Sequence, residues 1–247
     1  MNRKILFRWA KVVVLVYCLI GIAVYYGQDR LLIHPAPLPG DHVFAFEGKF
    51  TELNLPYDQG INLNLVEFKA RPADSAARGI VLYFHDGQGN ISDHAADVSG
   101  FTGKGYELWM MDYPGFGKST GTFSEKACYD YALECYQLAR SRWRPSQIVI
   151  CGKGIGTGVA AQLASVRNCR RLVLVDPFYS VTSEFRRWLF LYPLGMMLHY
   201  HFPTDRFLPD VTDPITIFGG DRRLKRFLKP GDTRFDRPGD PASALNG

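Results

Sequence analysis

The sequence predicts a largely parallel sheet covered by helices on both faces, an α/β domain carried behind one membrane-spanning helix. Three observations carry this. Five short, nearly continuous apolar runs, GIVLYF, YELWMM, QIVIC, RLVLV and PITIF, read as strands buried on both faces. Segments of helical character separate most of them, the arrangement a parallel sheet needs for its crossovers. The N-terminus adds an apolar run with no charge between Val12 and Gln28.

Taken in chain order, residues 5–26 are long enough to cross the ~30 Å hydrocarbon layer at ~1.5 Å per helical residue, with Arg8 and Lys11 reaching back toward water. Arg3, Lys4, Arg8 and Lys11 precede the run, while Asp29 and Arg30 follow it. That asymmetry predicts a cytoplasmic N-terminus and a domain on the opposite side. A cleaved signal peptide with Gly21 and Ala23 as its small pair is the rival, weakened because the run continues unbroken through Tyr25 and Tyr26. Residues 27–42 read as a proline-punctuated linker and 43–247 as the domain.

The domain opens with two alternating stretches, TELNLPYD and INLNLVEF, joined by Asp58-Gln59-Gly60 and expected as an antiparallel pair at a sheet edge. Lys126 to Arg142 is the longest clear helix of the domain, with Cys128, Ala132, Cys135, Tyr136 and Ala139 on one apolar stripe. Between RLVLV and PITIF an apolar excursion, about 181–213, is expected as a small cap over the strand ends, where open α/β sheets bind ligands.

Composition narrows the function. A hydrophobic content of 47% supports one sizeable core, and a net charge of +5 with dispersed Lys and Arg does not indicate nucleic acid. The five cysteines form no CxxC pair and read as core residues, and no cofactor or metal is expected. Nucleotide binding fails by counting. In GKGIGTGV a dinucleotide fingerprint beginning at Gly152 ends on Thr157, and one beginning at Gly154 ends on Val159. In DYPGFGKST, Asp112 stands where a phosphate loop needs its first glycine.

What VICGKGIGTGVAAQLAS fits is the strand, tight turn and helix of a G-x-S-x-G nucleophile elbow, with Gly154 in place of the serine. The chain here resembles the membrane-anchored α/β-hydrolase-domain family, in its serine aminopeptidase-like branch. The motifs carrying the likeness are DRLLIHP after the apolar helix, YFHDGQGNI at Tyr83 to Ile91, DYPGFGKSTG at Asp112 to Gly121, the elbow, and DPITIFGG. The resemblance implies an α/β-hydrolase fold and Ser-His-acid chemistry, with the acid after the seventh strand and the histidine after the eighth.

Each implied part can be checked. Gly154 has no side chain to attack with. Cys151, inside the strand, and Lys153, without an activating partner, make poor substitutes. The acid loop after PITIF reads as shortened, leaving Asp221 beside Arg222 and Arg223 as a helix-start residue; Asp176 is the other acid position such hydrolases use. Aligning the tail with the family's last loop puts Ala242 near the histidine position, and the chain's histidines, His34, His42, His85, His94, His199 and His201, all lie earlier. The resemblance makes Gly87 and the Ile155 amide the oxyanion donors, with Asp86 replacing a glycine and opposing negative charge there. The family's last helix reads as missing, leaving that sheet edge poorly covered.

The expectation is therefore an inactive serine-hydrolase homologue anchored in a membrane, with a binding or interaction role and a small acyl or peptide ligand under the cap. An active esterase, thioesterase or peptidase with relocated groups is one alternative. A truncated, non-functional product is the other.

Overall fold

The computed structural model describes residues 3–58, 60–72, 76–237 and 239–246. Helix α1, Arg3–Leu32, is a single 30-residue helix that runs six residues into the stretch expected as linker. No proline interrupts it before residue 33, so helical hydrogen bonding continues until the chain turns into β1, His34–Pro35. Its 18-residue apolar window has a mean hydropathy of 2.1 and is almost wholly exposed, unlike a core helix.

The strands that follow are β2 (Phe50–Asp58), β3 (Ile61–Phe68), β4 (Gly79–Phe84) and the two-residue β5 (Gln88–Gly89). Helix α2, Val98–Thr102, leads to β6, Tyr106–Met111, and then α3, Glu125–Arg140, begins where the Ser124 side chain accepts from the Ala127 amide. Next come β7 (Ile148–Lys153), α4 (Gly156–Val166) and β8 (Arg171–Val175). The stretch expected as the cap holds α5 (Val181–Arg186), α6 (Leu194–Met197) and α7 (Thr204–Phe207), after which β9 (Ile215–Phe218) and β10 (Thr233–Phe235) finish the sheet.

The eight-stranded sheet has the order β10-β9-β8-β7-β4-β6-β3-β2. The β2–β3 hairpin lies at one edge as expected, its two strands antiparallel and β3 antiparallel to its neighbour β6, and all other neighbours are parallel. Gln59 of its turn lies outside the described residues. Strands β4 and β6 to β9 are almost fully buried because side chains of alternate parity enter two separate cores. Leu82, Trp109, Ile150 and Leu174 pack under α3, α4 and the cap. Val81, Tyr83, Cys151 and Val173 pack under α2 and the C-terminal turn. Burying each such Leu, Val or Phe contributes about 1.5–3 kcal/mol relative to exposure.

Among the described residues no α-helix follows β10, and that edge strand is largely exposed as expected; a 3₁₀ turn, Pro241–Asn246, nevertheless places Ala242, Ala244 and Leu245 in the second core.

Candidate functional site

The elbow has the predicted backbone. Strand β7 ends at Lys153, α4 begins at Gly156, and Gly154 between them adopts φ +53°. This left-handed conformation suits glycine, since a Cβ would crowd the following carbonyl. The Gly154 amide donates to Val175 O at 3.1 Å, and its carbonyl accepts from the Thr157 amide and hydroxyl. Gly156 lets α4 approach the sheet: a Cβ there would collide with Phe84 O and stand 2.5 Å from His85 O.

Asp86 fills the space above Gly154. A Cβ built on Gly154 would meet the Asp86 Cβ at 2.8 Å, closer than real Cβ contacts come. The place of a nucleophile's side chain is thus taken by another residue, and Gly154 and Asp86 are complementary in shape. Asp86 Oδ1 accepts from the Gln88 amide at 3.0 Å and lies 3.7 Å from His94 Nε2.

The residues expected to donate to an oxyanion do come together. A Cβ on Gly87 would stand 3.2 Å from Ile155 Cδ1 and 2.7 Å from Leu32 O. The end of α1 therefore closes over this turn, and β1 pairs with β5 immediately beyond it, His34 opposite Gln88. Sequence reading missed this link from the apolar helix to the turn. The DRLLIHP segment was visible as a motif, but its partner was not.

Two histidines support the same turn. His85 Nδ1 donates to Asp86 O at 2.7 Å and His94 Nε2 donates to Gln88 O at 3.0 Å, with the two rings stacked 4.9 Å apart. Burial, and then the neighbouring His85, hold the His94 pKa below its ordinary value. Asp112 Oδ1 accepts from the Ile91 amide and lies 3.6 Å from His85 Nε2, both side chains wholly buried. These groups position backbone. Neither ring faces a hydroxyl or thiol among the contacts of the described residues.

The substitutes for a nucleophile are otherwise engaged. Burial pushes the Cys151 thiol up, against formation of a thiolate. Lys153 Nζ pairs with Asp97 at 3.3 Å. Asp221 follows β9 and caps the 3₁₀ turn Arg222–Phe227, accepting from the Arg223 amide at 2.8 Å and from its guanidinium. Partial burial opposes its charge, but hydrogen bonds from Arg223 outweigh that and hold its carboxyl below the ordinary range. Asp176 is exposed, at φ +49°, just past β8.

Ala242 is the residue expected near the histidine position. It is fully buried, its Cβ 3.4 Å from where a Cβ on Gly100 would stand, and its carbonyl accepts from Lys104 Nζ at 2.6 Å. Strand β10 ends at Phe235, opposite Phe218, so the loop leaving that strand is 236–240. Its described residues, Asp236, Arg237, Gly239 and Asp240, include no histidine; Pro238 lies outside the described residues.

Above the strand ends, a cavity of about 740 Å³ lies between Arg186 and Arg187 of the cap region and Asp221, Arg222 and Arg223. A second, of about 640 Å³, holds a hydroxyl–histidine pair that sequence reading missed: Thr182 Oγ1 and His201 Nδ1 are 3.1 Å apart. Their separation of nineteen positions hides the pairing in the sequence. No carboxylate contact with the His201 ring occurs among the described residues; Glu125 Oε2 accepts instead from the His201 backbone amide at 2.6 Å.

Residues 75–217 match the family model described as serine aminopeptidase, S33. The chain belongs to this family of α/β hydrolases. Among curated relatives, the S33-family chain is 26% identical over 223 residues to the lysophosphatidylserine lipase ABHD12 of Rattus norvegicus, covering 73% of this chain and 54% of that protein. Against the protein of that name from Macaca fascicularis it is 29% identical, over 63% of this chain and 40% of the relative. It thus spans about half the length, or less, of these relatives. The uncharacterised Escherichia coli (strain K12) protein YfhR is 31% identical over 62% of this chain and 52% of its own length. In fold, an α/β hydrolase from Vibrio vulnificus superposes with TM-score 0.61 at 19% identity, covering 80% of this chain and 78% of that one. An esterase from Pyrococcus furiosus gives 0.60 at 13% identity, covering 87% and 92%.

Proposed function

We propose that this S33-family chain is a catalytically inactive, membrane-anchored hydrolase homologue that binds a small acyl or peptide ligand in the cleft beneath its cap. The observation that carries the reading is Asp86, whose Cβ lies 2.8 Å from the place a serine Cβ would occupy at Gly154. Losing a key triad member in a comparable serine hydrolase costs about 10⁶ in turnover. Here the elbow residue, the histidine loop and the acid are all altered, and a carboxylate stands beside the oxyanion amides where negative charge would develop. The names of the ABHD12 relatives make a lysophospholipid the first acyl ligand to try. Anchoring through α1, with the N-terminus cytoplasmic and the domain across the membrane, follows from the basic residues that precede the apolar run.

The test uses the full-length chain in detergent, a fluorophosphonate probe and short-chain esters. The expected outcome is no covalent labelling and no turnover. Labelling that survives repurification overturns the inactive reading. A cooperative thermal transition is expected as well, and its absence would leave a non-functional product as the better account. The Thr182–His201 contact supports the alternative of relocated catalysis. Under that alternative, any turnover found would disappear in Thr182→Ala.

A further inference from the structure

We propose that the cap segment Trp188 to Leu198 enters the lipid leaflet beside α1, so that the cap, and not α1 alone, is embedded in the membrane. The proposal rests on the reading of α1 as a membrane anchor. It goes beyond that reading by placing part of the hydrolase domain in lipid.

The first observation is where the cap touches α1. Tyr17 and Tyr192 stack face to face, ring centroids 4.4 Å apart at 6°. The Tyr17 hydroxyl donates to Leu191 O at 3.2 Å, and the Tyr192 hydroxyl donates to Tyr17 O at 2.7 Å. A turn further along, a Cβ on Gly21 would stand 3.1 Å from the Tyr192 ring. At the far end the fully buried Gln28 side chain donates to Met197 O at 3.1 Å and accepts from the His199 amide at 2.7 Å. The cap therefore follows α1 from Gln28 back to Tyr17, roughly 16 Å at ~1.5 Å per residue. Half of a ~30 Å hydrocarbon layer is about that deep.

The second observation is chemical. Trp188 to Leu198 contains no charged residue, while Arg186 and Arg187 precede it and His199 follows. Trp188, Phe190, Leu191 and Met196 are 81%, 73%, 69% and 83% exposed, next to the exposed apolar side chains of α1. Four large apolar residues exposed in one short segment mark an interaction surface. Continuity with α1 selects the acyl region of phospholipids as the occupant. Basic residues at the border and aromatic residues beside them suit the headgroup boundary. Its backbone is partly satisfied locally: the Leu191 carbonyl accepts from Tyr17, and the Leu198 amide donates to Leu194 O at 3.0 Å.

The experiment places nitroxide labels on the full-length chain in phosphatidylcholine–phosphatidylserine nanodiscs. Cys18→Ser removes the exposed thiol, and the other four cysteines are buried. Single cysteines then report from the cap (Trp188→Cys, Leu191→Cys, Met196→Cys), from α1 (Val16→Cys) and from the distant surface (Val43→Cys). Power saturation compares access to oxygen, which favours lipid, with access to a water-soluble nickel chelate. The expected result is that all three cap labels follow Val16→Cys toward oxygen, while Val43→Cys follows nickel. Cap labels that follow nickel while Val16→Cys follows oxygen overturn the cap proposal and leave the anchor standing. Val16→Cys following nickel overturns both. Cap labels shielded from both relaxers show a protein partner or a second copy on this surface, and that also overturns the proposal.

Discussion

The elbow and the cap carry opposite halves of a hydrolase site. The elbow keeps its backbone: Gly152, Gly154 and Gly156 make the turn, and α4 lies so close to the sheet that a side chain at Gly152 or Gly156 would collide across that contact. It has no reactive side chain. The cap lines polar cavities with arginines, a hydroxyl and a histidine, yet it is built of four- and six-residue helices joined by irregular chain. The difference teaches that elbow geometry is maintained by packing, independently of which side chain stands at the turn. A buried close approach persists because relaxing it disrupts the core.

The largest effect expected from disturbing this contrast is Gly156→Ala. Its Cβ would be forced into the Phe84 and His85 carbonyls. The cost should be about 3 kcal/mol or more, beyond the usual range for overpacking because the obstacle is backbone. Loss of the cooperative transition in a thermal melt would be the sign, and a melt unchanged from the parent would break the packing argument.

Next is Gly154→Ser, which adds a left-handed serine, about 1–2 kcal/mol, to the collision with Asp86. Adding Asp86→Gly should recover the collision part, so the double variant should be more stable than the sum of the singles by about 0.5–3 kcal/mol. Additive denaturant midpoints would show that the two positions are not complementary. The double variant is still expected to lack turnover, because among the described residues no histidine ring contact with Gly154 occurs, His85 and His94 holding the Asp86 and Gln88 carbonyls instead.

A smaller effect concerns His94. Its folded pKa is depressed by burial and by His85; Asp86 opposes that depression, while Lys153 adds to it. The unfolded chain therefore takes up the proton first. The stability held in keeping His94 neutral is complete above its ordinary value of 6.5 and declines as pH falls from there toward the depressed native value. Melting temperature should drop between pH 7.5 and 5.5, and His94→Phe, which retains a ring against His85, should flatten that drop. An unaltered slope in the variant would assign the pH dependence elsewhere.

The smallest effect is Asp221→Asn. The Asp221–Arg223 pair is partly exposed, so its loss should cost no more than about 1 kcal/mol. Its stabilisation is present above the ordinary carboxylate value of 3.8 and fades as pH falls through the lowered one. A larger loss would mean that Asp221 organises the cavity beside the cap.

The sequence by itself determined seven strands of the main sheet, the edge hairpin and the elbow turn, because these follow from local hydrophobic patterning and glycine spacing, whereas the three-residue β10, largely exposed, has no such pattern to announce it. It also identified Gly154 and Asp86 as departures from a hydrolase pattern. Counting along the tail carries no information about where β10 ends, and Phe218 decides that by pairing with Phe235. The tertiary structure alone decided that Asp86 occupies the place left open at Gly154, that Thr182 meets His201, and that Gln28 and Tyr17 hold the cap along α1. These contacts join residues 19 to 175 positions apart. Periodicity reports only which face of an element is apolar; which distant side chain fills a given space is set by close packing across elements.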